Sequence, residues 1–181
     1  MDTIGKKLAR SALIAGVTAA LSASAVMAAG SASRIAFGFN SEDIAGFPTG
    51  AVRLTGGGAF DLETLFVRSS GGFRCTASVL QGPLNGCLAG QGIRWDTSDV
   101  LISTPFKCTG SASEVLKTAF TGTNTVVLLA DFYRAGDGVD ESFTARMIVS
   151  DTDLAPDIPG IQNVWIQGVG CGSAIVHFDA R

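Results

Sequence analysis

The residues of this chain that could do chemistry are carboxylates and cysteines, because it holds a single histidine, His177. A serine or cysteine nucleophile needs a base within hydrogen-bond reach, and only His177 is available. It lies in the alternating run Ala174-Ile175-Val176-His177-Phe178, which reads as a strand with the imidazole on the face opposite Val176 and Phe178. No Gly-x-Ser-x-Gly elbow, His-Glu-x-x-His or phosphate-loop sequence accompanies it, so serine hydrolase, zinc protease and nucleotide chemistries find no support. Glu42, Glu63, Glu114 and Glu141 are the acids that could act as an acid and its partner on a glycan, if two of them stood about 5–9 Å apart.

Two acidic groups suit another task. Asp137, Asp140 and Glu141 fall in one loop, and Asp151, Asp153 and Asp157 in a second that carries Pro156 and Pro159. Calcium takes six to eight oxygens and is the one metal such clusters suit, with Asp137, Asp140 and Glu141 as candidate ligands. Solvated turn residues account for both clusters equally well, so no cofactor or metal is expected. Trp95, Tyr133 and Trp165 are candidate ligand-binding residues, as flat faces for sugar rings. Trp165 alternates with Val164 and Ile166 in an apolar run and Trp95 begins a strand, which is also how core aromatics look.

These residues must be positioned by strands. Phe37 and Phe39 alternate with Ala36 and Gly38, and runs at 66–69, 125–133, 142–149 and 174–178 continue the period of two. Turn chemistry at Thr121-Gly122-Thr123-Asn124, Ala135-Gly136-Asp137-Gly138 and Gly168-Val169-Gly170 predicts hairpins between them. The stretch Ser111 to Thr118 is the one helical candidate and reads better as a hairpin arm, given its β-branched neighbourhood. The predicted fold is all-β, a disulfide-stabilised antiparallel β-sandwich of jelly-roll or immunoglobulin-like type, with a small barrel as the alternative. Short strands and few aromatics argue against an outer-membrane barrel.

The first residues set the compartment. Lys6, Lys7 and Arg10 precede an apolar run to Met27, and Val26-Met27-Ala28 offers small residues for cleavage. Residues 1–28 read as a cleaved secretory signal peptide and 29–181 as a single all-β domain, secreted or periplasmic, without a stable membrane span after cleavage. The remaining chain carries ten Lys+Arg against fifteen Asp+Glu, and such an acidic balance excludes nucleic acid as a partner. Cys75, Cys87, Cys108 and Cys171 all lie beyond the signal, lack Cys-x-x-Cys spacing and are expected to form two disulfides. Of the three connectivities, Cys75 with Cys87 and Cys108 with Cys171 is preferred. The function that fits is a non-enzymatic exported domain with a structural, binding or surface-interaction role and a protein or carbohydrate partner; the alternative is a small polysaccharide hydrolase or lyase using carboxylates.

Overall fold

The computed structural model describes residues 34–45, 50–134 and 141–180. The signal segment, most of the loop with Asp137 and Asp140, and the side chain of Glu141 lie outside the described residues.

Twelve strands follow in chain order: β1 (Arg34–Ser41), β2 (Ile44–Ala45), β3 (Ala51–Asp61), β4 (Val67–Ala77), β5 (Arg94–Leu101), β6 (Ser103–Phe106), β7 (Lys117–Phe120), β8 (Thr125–Arg134), β9 (Glu141–Ser150), β10 (Val164–Ile166), β11 (Gly170–Gly172) and β12 (Ala174–Ala180). Every pairing is antiparallel. β1 runs on into β2 and β11 into β12, each across a short break. Taken so, the ladder closes as an eight-strand ring, β3 meeting β4 and β2 meeting β11 to complete it. The ladder thus closes as a small barrel does. Phe39 of β1 meets Trp95 of β5 in its interior at 5.9 Å, as residues of two facing sheets would, and Phe73 of β4 packs edge-on to Phe132 of β8 beside it at 5.2 Å.

Alternation builds this interior. Ile35, Phe37 and Phe39 on β1, Val52, Leu54 and Phe60 on β3, and Val126, Leu128, Ala130 and Phe132 on β8 are all buried. The loop at 78–92 contributes Val79 and Leu84 to the same core and is tied down by the Cys75–Cys87 disulfide. The glycines of β3 and β4 have a purpose where Trp95 enters. Its indole lies over Gly56 and Gly71, which face one another in register, and Nε1 donates to the Thr55 carbonyl at 3.0 Å. A Cβ on Gly71 would stand 2.6 Å from the Gly56 Cα and 2.7 Å from Trp95 Nε1, against backbone that has no room to yield. Gly71→Val should therefore destabilise the fold by about 1–3 kcal/mol through overpacking. Urea unfolding checks it, and an unchanged midpoint would show that the Trp95 packing is misread.

A second apolar cluster lies on the outside of the ring. Val127 of β8, Ile148 of β9, Trp165 of β10 and Cys171 of β11 are neighbours in register along one outward row. They are roofed by Phe106 and Ala119 of the β6–β7 ribbon, Cys108, and Ala155 from the loop at 151–162. The Cys108–Cys171 disulfide bolts roof to wall, so both sequence-preferred pairings form. This roof alters two local expectations. The β8–β9 hairpin forms as expected, but the turn at 121–124 joins β7 to β8 without pairing them: β7 pairs with β6, and β8 with β5 and β9. The Ser111–Thr118 stretch is a strand only from Lys117, because residues 111–116 fold as a turn around the Glu114 carboxylate.

Candidate functional site

Glu114 has only 6% of its side chain exposed. One carboxylate oxygen, Oε2, accepts from the Thr109 N–H (2.8 Å), the Thr109 hydroxyl (2.6 Å) and the Gly110 N–H (3.1 Å). The other, Oε1, accepts from the Cys108 N–H (2.7 Å) and Lys117 Nζ (3.4 Å). Burial by itself would raise its pKa, but the Thr109 hydroxyl, the Cys108 and Thr109 N–H groups and Lys117 together hold it down at about 2. A carboxylate so held is ionised at any physiological pH and serves poorly as a proton donor. Lys117 also donates to Asp157 Oδ2 at 3.0 Å, which fastens the ribbon to the loop at 151–162. Burial works against its charge, and Asp157 with Glu114 outweighs that and raises its pKa.

The remaining sequence candidates are dispersed. Glu42 is exposed beside Asp43, and Glu63 is exposed in a turn capped by Asp61, whose Oδ1 accepts from the Glu63 and Thr64 N–H groups. Asp153 Oδ1 accepts from Ala155 and Gln162 N–H and so closes its own loop. Asp137 and Asp140, proposed from sequence as calcium ligands with Glu141, fall outside the described residues. Among the described residues no three His, Cys, Asp or Glu side chains gather to hold a metal ion.

The aromatic platform does not form. Trp95 is fully buried in the main core. Trp165 lies beneath the ribbon against Phe106, with Nε1 donating to the Lys107 carbonyl at 2.8 Å. Tyr133 stands apart on the outer face of β8, under the Arg94 guanidinium at 4.5 Å. Its hydroxyl reaches Asp96, whose field, with burial and Asp131, raises its pKa against the opposing pull of Arg94. His177 faces outward from β12 opposite Gly38 and is exposed, as its alternation predicts.

One concavity among the described residues lies over the second disulfide. A cleft of about 610 Å³ is bounded by Asp43 and Ala45 at β2, Thr109 and Ser111 after β6, Ile158 to Gln162 from the 151–162 loop, and Gly172 and Ser173 after β11. Cys108 and Cys171 line it as well and are themselves almost wholly buried. Its shape is set by groups already spoken for. Glu114 fixes the backbone of 108–110, Asp153 and the Leu154 N–H hold Gln162, and the Cys171 N–H donates to the Cys108 carbonyl at 3.3 Å. Asp43 on the rim accepts from the Thr76 hydroxyl at 3.1 Å. The lining is Ala45, Ile158, Ile161 and the disulfide, with hydroxyls and an amide at the margins. Ile161 is 59% exposed beside it, and Ile175, on the neighbouring strand, 67%. These cleft residues come from four separate stretches and carry no motif; only the cysteines among them drew attention in the sequence.

Compared with known proteins, the chain matches no family model, no curated protein sequence and no solved structure. Two disulfides are more typical of an extracellular or periplasmic setting than of a reducing one. Among the described residues no helix is long and apolar enough to cross a membrane.

Proposed function

We propose that this protein is a non-catalytic exported β domain whose work is recognition, and that the cleft over Cys108–Cys171 is where it recognises. One observation carries the reading: the cleft of about 610 Å³ joins an apolar lining to a rim of Asp43, Thr109, Ser111, Gln162 and Ser173, on a frame held by a disulfide and the buried Glu114 carboxylate. Its volume falls in the range of about 300–1,000 Å³ typical of small-molecule sites, room enough for a few residues of a peptide. Preorganisation of this kind lowers the ordering cost of binding. A sugar ring would need an exposed flat aromatic face here, and the cleft is lined by aliphatic side chains instead. The occupant that fits is therefore a short segment of a partner protein, anchored by an apolar side chain and bonded at its margins to hydroxyls and an amide.

The cleft can be read with 1-anilinonaphthalene-8-sulfonate as probe. The native chain is expected to raise the dye's fluorescence. Ala45 is exposed at the cleft's edge, so Ala45→Phe should fill the space, weaken dye binding at least tenfold and leave the melting temperature unchanged. Equal binding by both proteins, or none by the native one, would remove the cleft as the recognition site.

A further inference from the structure

Among the described residues, ring closure leaves one long edge open. The main chain of Ala174, where β12 begins, is held by the Asn163 side chain: Nδ2 donates to the Ala174 carbonyl at 2.9 Å and the Ala174 N–H donates to Oδ1 at 2.8 Å. The polar groups of Ala174 thus point away from β1. Alternate residues of a strand turn their main-chain groups to the same side. Val176, Phe178 and Ala180 therefore aim their N–H and C=O away from β1 too, while Ile175, His177 and Asp179 bond to it opposite Asn40, Gly38 and Ala36. Among the described residues no strand takes the outer side of β12, which ends the strand order of the sheet.

The run Ala174–Ala180 has no proline, no lysine and no register break, three of the devices by which natural edges refuse pairing, and its one formal charge is Asp179. Val176 and Phe178 are only partly buried where they join the core, Phe178 stacking on Phe37 at 5.9 Å and meeting Phe60 edge-on at 6.4 Å.

We propose that two copies of the chain pair through β12, antiparallel about a two-fold axis at Phe178. The strand's own sequence selects both the occupant and the register. Only residues whose main-chain groups face the open side can exchange hydrogen bonds, and Ala174 is already taken by Asn163, so at least two such exchanges need an axis at His177, Phe178 or Asp179. An axis at Asp179 sets carboxylate against carboxylate. An axis at His177 sets imidazole against imidazole and Ile175 against the second copy's Asp179. An axis at Phe178 pairs Val176 with the second copy's Ala180 and Phe178 with its counterpart, satisfying every outward group from 176 to 180. It also sets each His177 against the second copy's Asp179 on the outer face, an imidazole donor beside a carboxylate acceptor. The contact is self-complementary, as a two-fold interface must be.

Sedimentation of the mature chain over a wide concentration range tests this. A monomer–dimer equilibrium is expected, and Val176→Pro should weaken it at least tenfold, because it deletes an N–H that faces outward and not one bonded to β1; circular dichroism checks that the variant is folded. Register is read independently. In the Phe178-centred pairing, residues 177 and 179 of opposite copies are close non-hydrogen-bonded neighbours, so His177→Cys with Asp179→Cys in one chain should oxidise to a covalent dimer, and His177→Cys alone should not. A chain that stays monomeric and uncrosslinked overturns the proposal. So does a dimer that survives Val176→Pro in a folded variant, which would lie elsewhere, or crosslinking by His177→Cys alone, which would place the axis at His177.

Discussion

Replacing both Cys108 and Cys171 with alanine is expected to lower the stability of the fold by about 4 kcal/mol, the chain-entropy value for a loop of this length. The two cysteines are 63 residues apart, against 12 for Cys75 and Cys87, whose removal should cost about 3 kcal/mol in the same view. Geometry makes the longer bridge matter beyond its entropy. The β6–β7 ribbon shares no ladder with the ring, so it is seated by the disulfide, the Trp165 bond to Lys107, the Lys117–Asp157 pair, the Arg146 bond to Thr104 and the packing of Phe106 and Ala119. Without the bond, β6 and β7 should lose amide protection well before β8 and β9 do. Urea unfolding under non-reducing conditions gives the first number, and hydrogen exchange of the ribbon the second. A loss under about 1 kcal/mol, with ribbon protection unchanged, would mean that packing alone holds the roof. Because the same bond floors the cleft, the variant should also lose the dye signal while the ring itself stays folded.

The strands of the ring, though not its closure, were legible in the sequence because their inner faces obey a period of two. Phe37 and Phe39 against Ala36 and Gly38 point inward and outward as their alternation requires, and the β8–β9 hairpin follows from the turn chemistry between them. The roof was not legible, for a physical reason. Where both faces of a strand are covered, alternation vanishes: Val164, Trp165 and Ile166 are all buried, as are Val126, Val127 and Leu128. Such runs say that something lies on the outer face without saying what. The ribbon that lies there is short, and its connection is ordered by a carboxylate. Strand propensity extended it back to Ser111, since propensity cannot register that Glu114 gathers three consecutive N–H groups. The carboxylates considered for catalysis illustrate the same limit. Composition offers them equally, and only the fold distinguishes Glu114, spent on structure, from Glu42 and Glu63 at the surface.

Glu114 supplies the second large effect, and its sign follows from its pKa. Folding lowers the group from an ordinary 4.5 to about 2, so the native state favours the ionised form. The stabilisation is fully present above about pH 4.5 and is lost as the pH falls through the interval down to 2, where the folded carboxyl itself takes a proton. A shift of that size corresponds to about 3 kcal/mol, since each pKa unit is about 1.4 kcal/mol. Glu114→Gln should cost on the order of 2–3 kcal/mol at neutral pH, because an amide can present only one acceptor oxygen to donors that now converge on two. The discriminating measurement is the difference between the two proteins' stabilities from pH 6 to pH 2. The other carboxylates contribute alike to both curves, so the gap should stay constant above pH 5 and close toward pH 2. Parallel curves throughout would show that Glu114 is held no more tightly folded than unfolded, and that the backbone at Cys108 to Gly110 owes its shape to the disulfide alone. A gap that closes would place in one ionised carboxylate the fixing of the ribbon, the seat of the long disulfide and one wall of the cleft.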